Sequence, residues 1–243
     1  MKNPLVSIHS FIRAAVVCGL LFGLSAPLAM GQYYVRGDFN GWDTSFLMSD
    51  EGGGLYTYQA TGLTPGDMYF FKIATEDWGD GIDWPGSNAR VMADSNGEIF
   101  FRAFDQVSWT DGWMPDSVRR VGYSDAGHGW EVLGSMTGWD ASPVSMNDMG
   151  GGLYQAEVFL NEGSHEFKYR MSGSWDINIG GDFGNSADNI FLSVPADDTY
   201  IFQLDTWNGR HSVEVIPEPS TYALLFGLGV MGLAWLKRRR SAC

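Results

Sequence analysis

Between Gln32 and Ile216 apolar and polar residues alternate over short runs. "LYTYQA" (55–60), "MYFFKI" (68–73), "EIFFRAF" (98–104), "LYQAEVFL" (153–160), "HEFKYRM" (165–171), "TYIFQLD" (199–205) and "HSVEVI" (211–216) are bounded by Gly, Pro, Asn or Asp. A period of two puts alternate side chains on opposite faces of an extended chain, so these runs predict half-buried strands. No stretch of a dozen residues there repeats at the helical period of 3.6. The pattern predicts an all-β body of many short strands, a sandwich or a barrel.

The two ends follow other patterns. Lys2 and Arg13 precede an apolar run from Ala14 to Leu24, and "SAPLAMGQ" follows. That order predicts a secretory signal peptide over residues 1–31, cleaved after Gly31 or after Ala29. Cys18 follows Val16 and Val17, a poor setting for a lipid-modified cysteine. At the other end Pro217-Glu218-Pro219 breaks the last strand, Tyr222 to Leu236 is uncharged and apolar, and Lys237, Arg238, Arg239 and Arg240 follow at once. Fifteen residues fall short of the roughly 20 of a full span. Tyr222 and Trp235 nevertheless suit the two interfaces, and the basic cluster suits the cytoplasmic side, so a single C-terminal membrane helix is expected.

Pro-Glu-Pro, a Gly-rich apolar helix and an Arg cluster, in that order, resemble the PEP-CTERM sorting signal of Gram-negative bacteria. The resemblance covers Pro217 to about Arg240, and the sorting segment is expected over 217–243. It implies export, recognition by an exosortase-type enzyme, anchoring through the helix before processing, and loss of the tail near Pro217 to Pro219. The destination it implies is the cell surface or extracellular matrix, with Pro217, Glu218, Pro219, Arg238, Arg239 and Arg240 as the sorting residues.

The body is written twice. "YYVRGDFNGWD" returns as "WEVLGSMTGWD", "MSDEGGGLYTYQA" as "MNDMGGGLYQAEV", "MYFFKIATEDW" as "HEFKYRMSGSW", and "IFFRAFD" as "YIFQLD". One unit is close to 95 residues, too long for a solenoid repeat and suited to a sandwich of about seven strands. The expected modules are 32–121 and 130–216. The polar, Gly-rich "GYSDAGHG" (122–129) is expected to link them.

Composition narrows the partners. Nine Lys and Arg remain in the body once Lys2, Arg13 and the four tail residues are set aside, against 28 Asp and Glu, a net charge of −19. Such a surface repels nucleic acids and anionic glycans. Both cysteines, Cys18 and Cys243, lie outside the body, which leaves it without a disulfide or a thiolate metal site.

The order within each unit is strand, Gly-x-x-x-Gly-Trp-Asp turn, Asp-x-Gly-Gly-Gly turn, Leu-Tyr strand, Phe-Lys strand, Trp-led loop and two strands. It resembles the starch- and glycogen-binding immunoglobulin-like modules: carbohydrate-binding module 48 and the accessory modules of pullulanases. The second unit is the closer match, with "GSMTGWD", "GGGLYQAEVFL" and then Asp188-Asn189-Ile190 and Val194-Pro195. The resemblance implies two tandem immunoglobulin-like β-sandwich modules that bind α-glucan. It places the ligand on Trp42, Lys72, Trp78 and Asn88 in the first unit and on Trp139, Lys168, Trp175 and Asn189 in the second.

Flat aromatic rings match the apolar faces of sugars, and Asn, Lys and Asp match their hydroxyl rims. Trp42 and Trp139 are equally suited to packing in a core. Trp78 and Trp175, in polar Gly/Asp loops, are the better ligand candidates. Lys72 and Lys168 also fit plain outward-facing strand positions. The first unit departs from the pattern in an enlarged loop, "EDWGDGIDWPGSN", that adds Trp84, and Asn40 of its turn is Thr137 in the second.

No cofactor is expected. Asp77, Asp80 and Asp83, and Asp176, Asn178, Asp182 and Asp188, offer oxygens to calcium, but no spacing matches a known calcium loop and solvated turns explain them as well. His128, His165 and His211 are the only histidines of the body, and no Gly-x-Ser-x-Gly or His-Glu-x-x-His string occurs. The expectation is a non-catalytic polysaccharide-binding protein. The alternative is a structural or adhesive matrix protein that keeps the fold without binding sugar.

Overall fold

A computed structural model describes residues 32–78, 82–185 and 188–216. The expected signal peptide, the tail from Pro217 onward with its sorting residues, and Asp80 lie outside the described residues. Among the described residues no helix is long and apolar enough to cross a membrane.

The alternating runs are strands, all paired antiparallel. In the first half, β1 (Tyr34–Gly37), β4 (Met68–Ala74) and β5 (Asp83–Met92) make one sheet. A second takes β2 (Ser49–Gly52), β3 (Leu55–Ala60), β6 (Ile99–Phe104) and β7 (Arg120–Tyr123). In the second half, β8 (Trp130–Gly134), β9 (Val144–Ser145), β12 (Gly163–Met171), β13 (Asn178–Ile179) and β14 (Ile190–Val194) share a sheet. The last holds β10 (Asn147–Gly150), β11 (Leu153–Leu160), β15 (Asp198–Asp205) and β16 (Arg210–Val215).

Strand β11 shows why the pattern folds this way: Tyr154, Ala156, Val158 and Leu160 are buried while the residues between them face outward. Its register against β15 runs unbroken from Leu153–Asp205 to Leu160–Asp198. Aromatic edges lock the sheets of each half together. Phe71 meets Phe101 at 4.8 Å and Tyr33 meets Tyr56 at 4.8 Å in the first half; Phe167 meets Phe202 at 5.1 Å in the second.

The two modules that the repeat predicts are not clearly set apart in the fold. One continuous hydrophobic core spans both halves, with Tyr123 touching Phe183 at 6.3 Å. Four sheets stand in a propeller-like ring of four, and no clear boundary separates two immunoglobulin-like modules. What stands is an all-β fold with almost no helix.

The expected linker is largely structural. Gly122 and buried Tyr123 finish β7, and Tyr123 N–H donates to Thr206 O at 2.9 Å. Asp125 accepts the Tyr154 hydroxyl at 2.6 Å. A Cβ on Gly122 would stand 2.2 Å from Trp207 O, so the halves approach as closely there as only glycine permits. Met114 and His211 exchange both backbone hydrogen bonds at 2.7 Å, which ties the 105–119 loop of the first half to β16.

Candidate functional site

Each Gly-x-x-x-Gly-Trp turn begins with a single 3-10 turn, Asp38–Asn40 or Ser135–Thr137. Gly37 N–H donates to Asn40 Oδ1 at 2.9 Å, and Gly134 N–H donates to Thr137 Oγ1 at 3.0 Å. The Asn-to-Thr difference between the repeats therefore preserves the turn. Gly41 and Gly138 then adopt φ of 62° and 64°, and Trp42 and Trp139 follow at 64° and 58°. A bulky side chain in the left-handed region costs roughly 1–3 kcal/mol and persists only where the surroundings impose it.

That strained step aims each turn tryptophan at the loop tryptophan of its own half. The Trp42 and Trp78 rings lie 6.5 Å apart at 49°, and Trp139 and Trp175 lie 6.4 Å apart at 40°. Trp42 and Trp139 are half-buried and stand outside the hydrophobic core. Trp78 and Trp175 remain 41% and 40% exposed, large apolar rings turned to solvent.

Two arginines that sequence reasoning missed hold these rings. The Arg36 guanidinium lies 4.0 Å over the Trp78 ring, and that of Arg170 lies 4.6 Å over Trp175. Each contact contributes about 0.5–2 kcal/mol and occupies one face of the ring. Arg36 also donates to Trp42 O at 2.8 Å and to the carbonyls of Thr75 and Glu76 at 3.2 Å, so one side chain joins turn to loop. Arg170 is paired with Glu131 and Asp140. Burial pulls the Arg170 guanidinium down, but the bonds to the two carboxylates outweigh it and its pKa rises.

The ring nitrogens are engaged as well. Trp42 Nε1 donates to Asp38 Oδ1 at 3.1 Å, and Trp175 Nε1 donates to Asp140 Oδ1 at 3.1 Å. One signal in the sequence pointed to Arg170: it follows Lys168 by two residues, on the same face of β12 and just before the Trp175 loop.

The other expected residues divide. Lys72 is ion-paired with Asp83 and donates to Gly86 O at 2.7 Å. Lys168 reaches Asn178 Oδ1 at 3.4 Å, and Asn178 Nδ2 donates to Trp175 O at 3.1 Å, so Lys168 joins the second platform at one remove. Burial lowers the Lys168 pKa against the opposing pull of Asp188 and Asp182. The Asn88 side chain is exposed, and Asn189 Nδ2 donates to Glu166 Oε2 at 2.9 Å. Structure thus brings together the two tryptophan pairs and leaves Lys72, Asn88 and Asn189 in other contacts.

Among the described residues no group of three or more His, Cys, Asp or Glu is placed to hold a metal ion. Asp83, Asp176 and Asp182 instead serve Lys72, Arg90 and Ser87 N–H. The three histidines are dispersed. His128 packs on Trp130, His165 faces Asn161 O, and His211 is buried beside Tyr169.

Comparison with known proteins adds the following. Residues 215–240 match the PEP-CTERM protein-sorting motif. The motif implies an exported, exosortase-processed protein. The amylopullulanase of Thermoanaerobacterium thermosulfurigenes is 22% identical over 217 residues, which is 84% of this chain and 11% of that protein. The amylopullulanase of Thermoanaerobacter thermohydrosulfuricus is 27% identical over 180 residues, 70% of this chain and 12% of that protein. The chain thus spans only 11–12% of the length of these relatives. Among solved structures, SusF from Bacteroides thetaiotaomicron aligns with a TM-score of 0.33 and 16% identity, covering 78% of this chain and 49% of that one. Pullulanase from Bacillus acidopullulyticus aligns at 0.29 and 14%, covering 76% and 28%.

Proposed function

We propose that this is a surface or matrix protein of a Gram-negative bacterium that binds α-glucan or a related polysaccharide without hydrolysing it. In this reading the body is two immunoglobulin-like β-sandwich units fused along a shared core. The interleaved strand order, in which β1 skips to β4 and β3 skips to β6, is compatible with a sandwich within each half. Before exosortase processing the C-terminal helix holds the protein in the membrane.

The observation that carries the binding reading is the pair of tryptophan platforms, each with one exposed ring braced by a guanidinium. Two turns retain a strained tryptophan and two different arginines support its neighbour, an expense of packing that a purely structural surface does not require. The matches to two amylopullulanases are consistent with a glucan as the ligand. A neutral polysaccharide fits the charges: all seven arginines of the body lie over an aromatic ring, so their guanidinium faces are already taken.

Native gels cast with glycogen, amylopectin or the host's exopolysaccharide test the reading. The protein is expected to be retarded, and Trp78→Ala and Trp175→Ala each to weaken retardation by the roughly 1–3 kcal/mol that an aromatic stacking contact supplies. Unretarded migration in every gel defeats the binding reading and favours the adhesive matrix protein. Normal retardation of both variants defeats the site assignment.

A further inference from the structure

The second platform does not belong to the second half alone. The segment following Trp175 rests on β5 of the first half. Arg90 Nη1 donates to Asp176 O at 2.9 Å and approaches Asp176 Oδ1 at 3.4 Å; Ser87 N–H donates to Asp182 Oδ2 at 2.6 Å; Asn185 N–H donates to Asn88 O at 2.8 Å. Within the segment, Asn185 Oδ1 accepts Asn178 N–H at 2.8 Å, and Asn178 Nδ2 grips Trp175 O. Successive carbonyls, those of Trp175 and Asp176, are therefore held from two sides.

The first half has a reason to present these groups. Pairing between β4 and β5 breaks between Phe71 and Ile73, where Phe71 faces Ala89 and Ile73 faces Trp84. The residues between, Pro85 to Asn88, leave the ladder and turn their backbone groups outward. Lys72 braces the break by donating to Gly86 O. Arg90 is itself fixed, its guanidinium 4.9 Å over the Phe70 ring and its side chain 24% exposed. Counting from Asn88 and Asn189, the repeat puts Phe191, 71% exposed, where the first half has Arg90.

We propose that Arg90 is a positioning residue for the second platform, so that the Trp175 site is a composite built by both halves. Arg90 touches no ligand. It sets the peptide that follows Trp175, and with it the tilt of the ring toward Trp139. The role in affinity rests on the polysaccharide reading above; the role in ordering the loop does not.

The test uses the full chain and Arg90→Ala, alone and combined with Trp78→Ala or Trp175→Ala. Amide hydrogen exchange over residues 172–185 is expected to quicken about tenfold in Arg90→Ala, with residues 71–75 unchanged, as for the loss of a charged hydrogen bond at one locus. Retardation by glycogen is expected to fall several-fold when Arg90→Ala joins Trp78→Ala, and to stay constant when it joins Trp175→Ala. Arg90→Lys, which keeps the charge without the flat stack, is expected to fall between and guards against misfolding of the alanine variant. Unchanged exchange at 172–185 overturns the proposal, as does an equal loss of retardation in both backgrounds. A wild-type chain that no glucan retards overturns the polysaccharide reading instead, and exchange alone then decides on Arg90.

Discussion

The two halves carry the same pair of tryptophans and hold them with different arginines. In the first, Arg36 comes from β1 and stands opposite Lys72; in the second, Arg170 comes from β12 and stands opposite Glu131. The repeat places Leu133 where Arg36 is and Ala74 where Arg170 is. The guanidinium has thus moved to the neighbouring strand and two residues along, on the same face, yet it finishes under the corresponding ring. What is shared between the halves is the ring's orientation, and cross-strand neighbours on one face can exchange the residue that enforces it.

The exchange changed the partners and therefore the stakes. Among the described residues Arg36 bonds to carbonyl oxygens, whereas Arg170 answers two carboxylates, of which Glu131 is buried. Arg170→Ala leaves that carboxylate buried without its cation and is expected to cost about 3–5 kcal/mol in a denaturant melt. Arg36→Ala, whose partners lose neutral hydrogen bonds, is expected to cost about 1–2 kcal/mol. Equal losses would mean that the two braces are energetically alike despite their partners.

A second correspondence sets Arg120 on β7 against His211 on β16. Both are buried, opposite Phe104 and Leu204 in sheets of the same design. Burial, aided by the charge of Arg120, drives the His211 pKa down to about 4. Unfolded, the imidazole titrates near 6.5, so between those values the unfolded chain holds the extra proton. Stability from this group is therefore complete above about pH 6.5 and declines as the pH falls to about 4, by up to about 3 kcal/mol. Melting temperatures across that window are expected to fall less steeply in His211→Gln; parallel slopes would remove His211 as the cause.

The seam between the halves offers a third contrast. Gly122 stands where the chain passes from one half to the other, and alanine there must displace the Trp207 carbonyl. Gly122→Ala is expected to cost about 1–3 kcal/mol. Gly127, at φ 73° but with open space around it, tests strain without contact, and Gly127→Ala is expected to cost about 1 kcal/mol. If calorimetry of Gly122→Ala resolves two transitions in place of one, the halves fold independently and the shared core is not cooperative.

Much of this was legible in the residues. Alternation in "LYQAEVFL" gave β11 its buried and exposed faces, and the doubled turn located both tryptophan pairs. The seam was not legible, because Tyr123 and Asp125 sit in a stretch whose Gly and Asp content reads as linker. Their role depends on partners 29 residues or more away, Tyr154 and Thr206 among them, and no local period reports such pairing. The arginine braces were hidden for a related reason. Repeat alignment compares position with position, and here the function crossed from one strand to the next.

The smallest effects separate Lys72 from Lys168, which occupy the same place in the repeat. Lys72 has a carboxylate and a carbonyl as partners; among the described residues Lys168 has one long bond to Asn178, and its pKa is lowered by burial. Lys72→Met is expected to lower stability by about 1 kcal/mol through the β5 break, with little effect on retardation of a Trp175→Ala protein by glycogen. Lys168→Met, with little to lose in the free protein, is expected to leave stability within about 0.5 kcal/mol and to weaken retardation by glycogen. The reverse result, a stability loss at Lys168 and a binding loss at Lys72, would transfer the hydroxyl-binding role to the first half and make the second lysine the structural one.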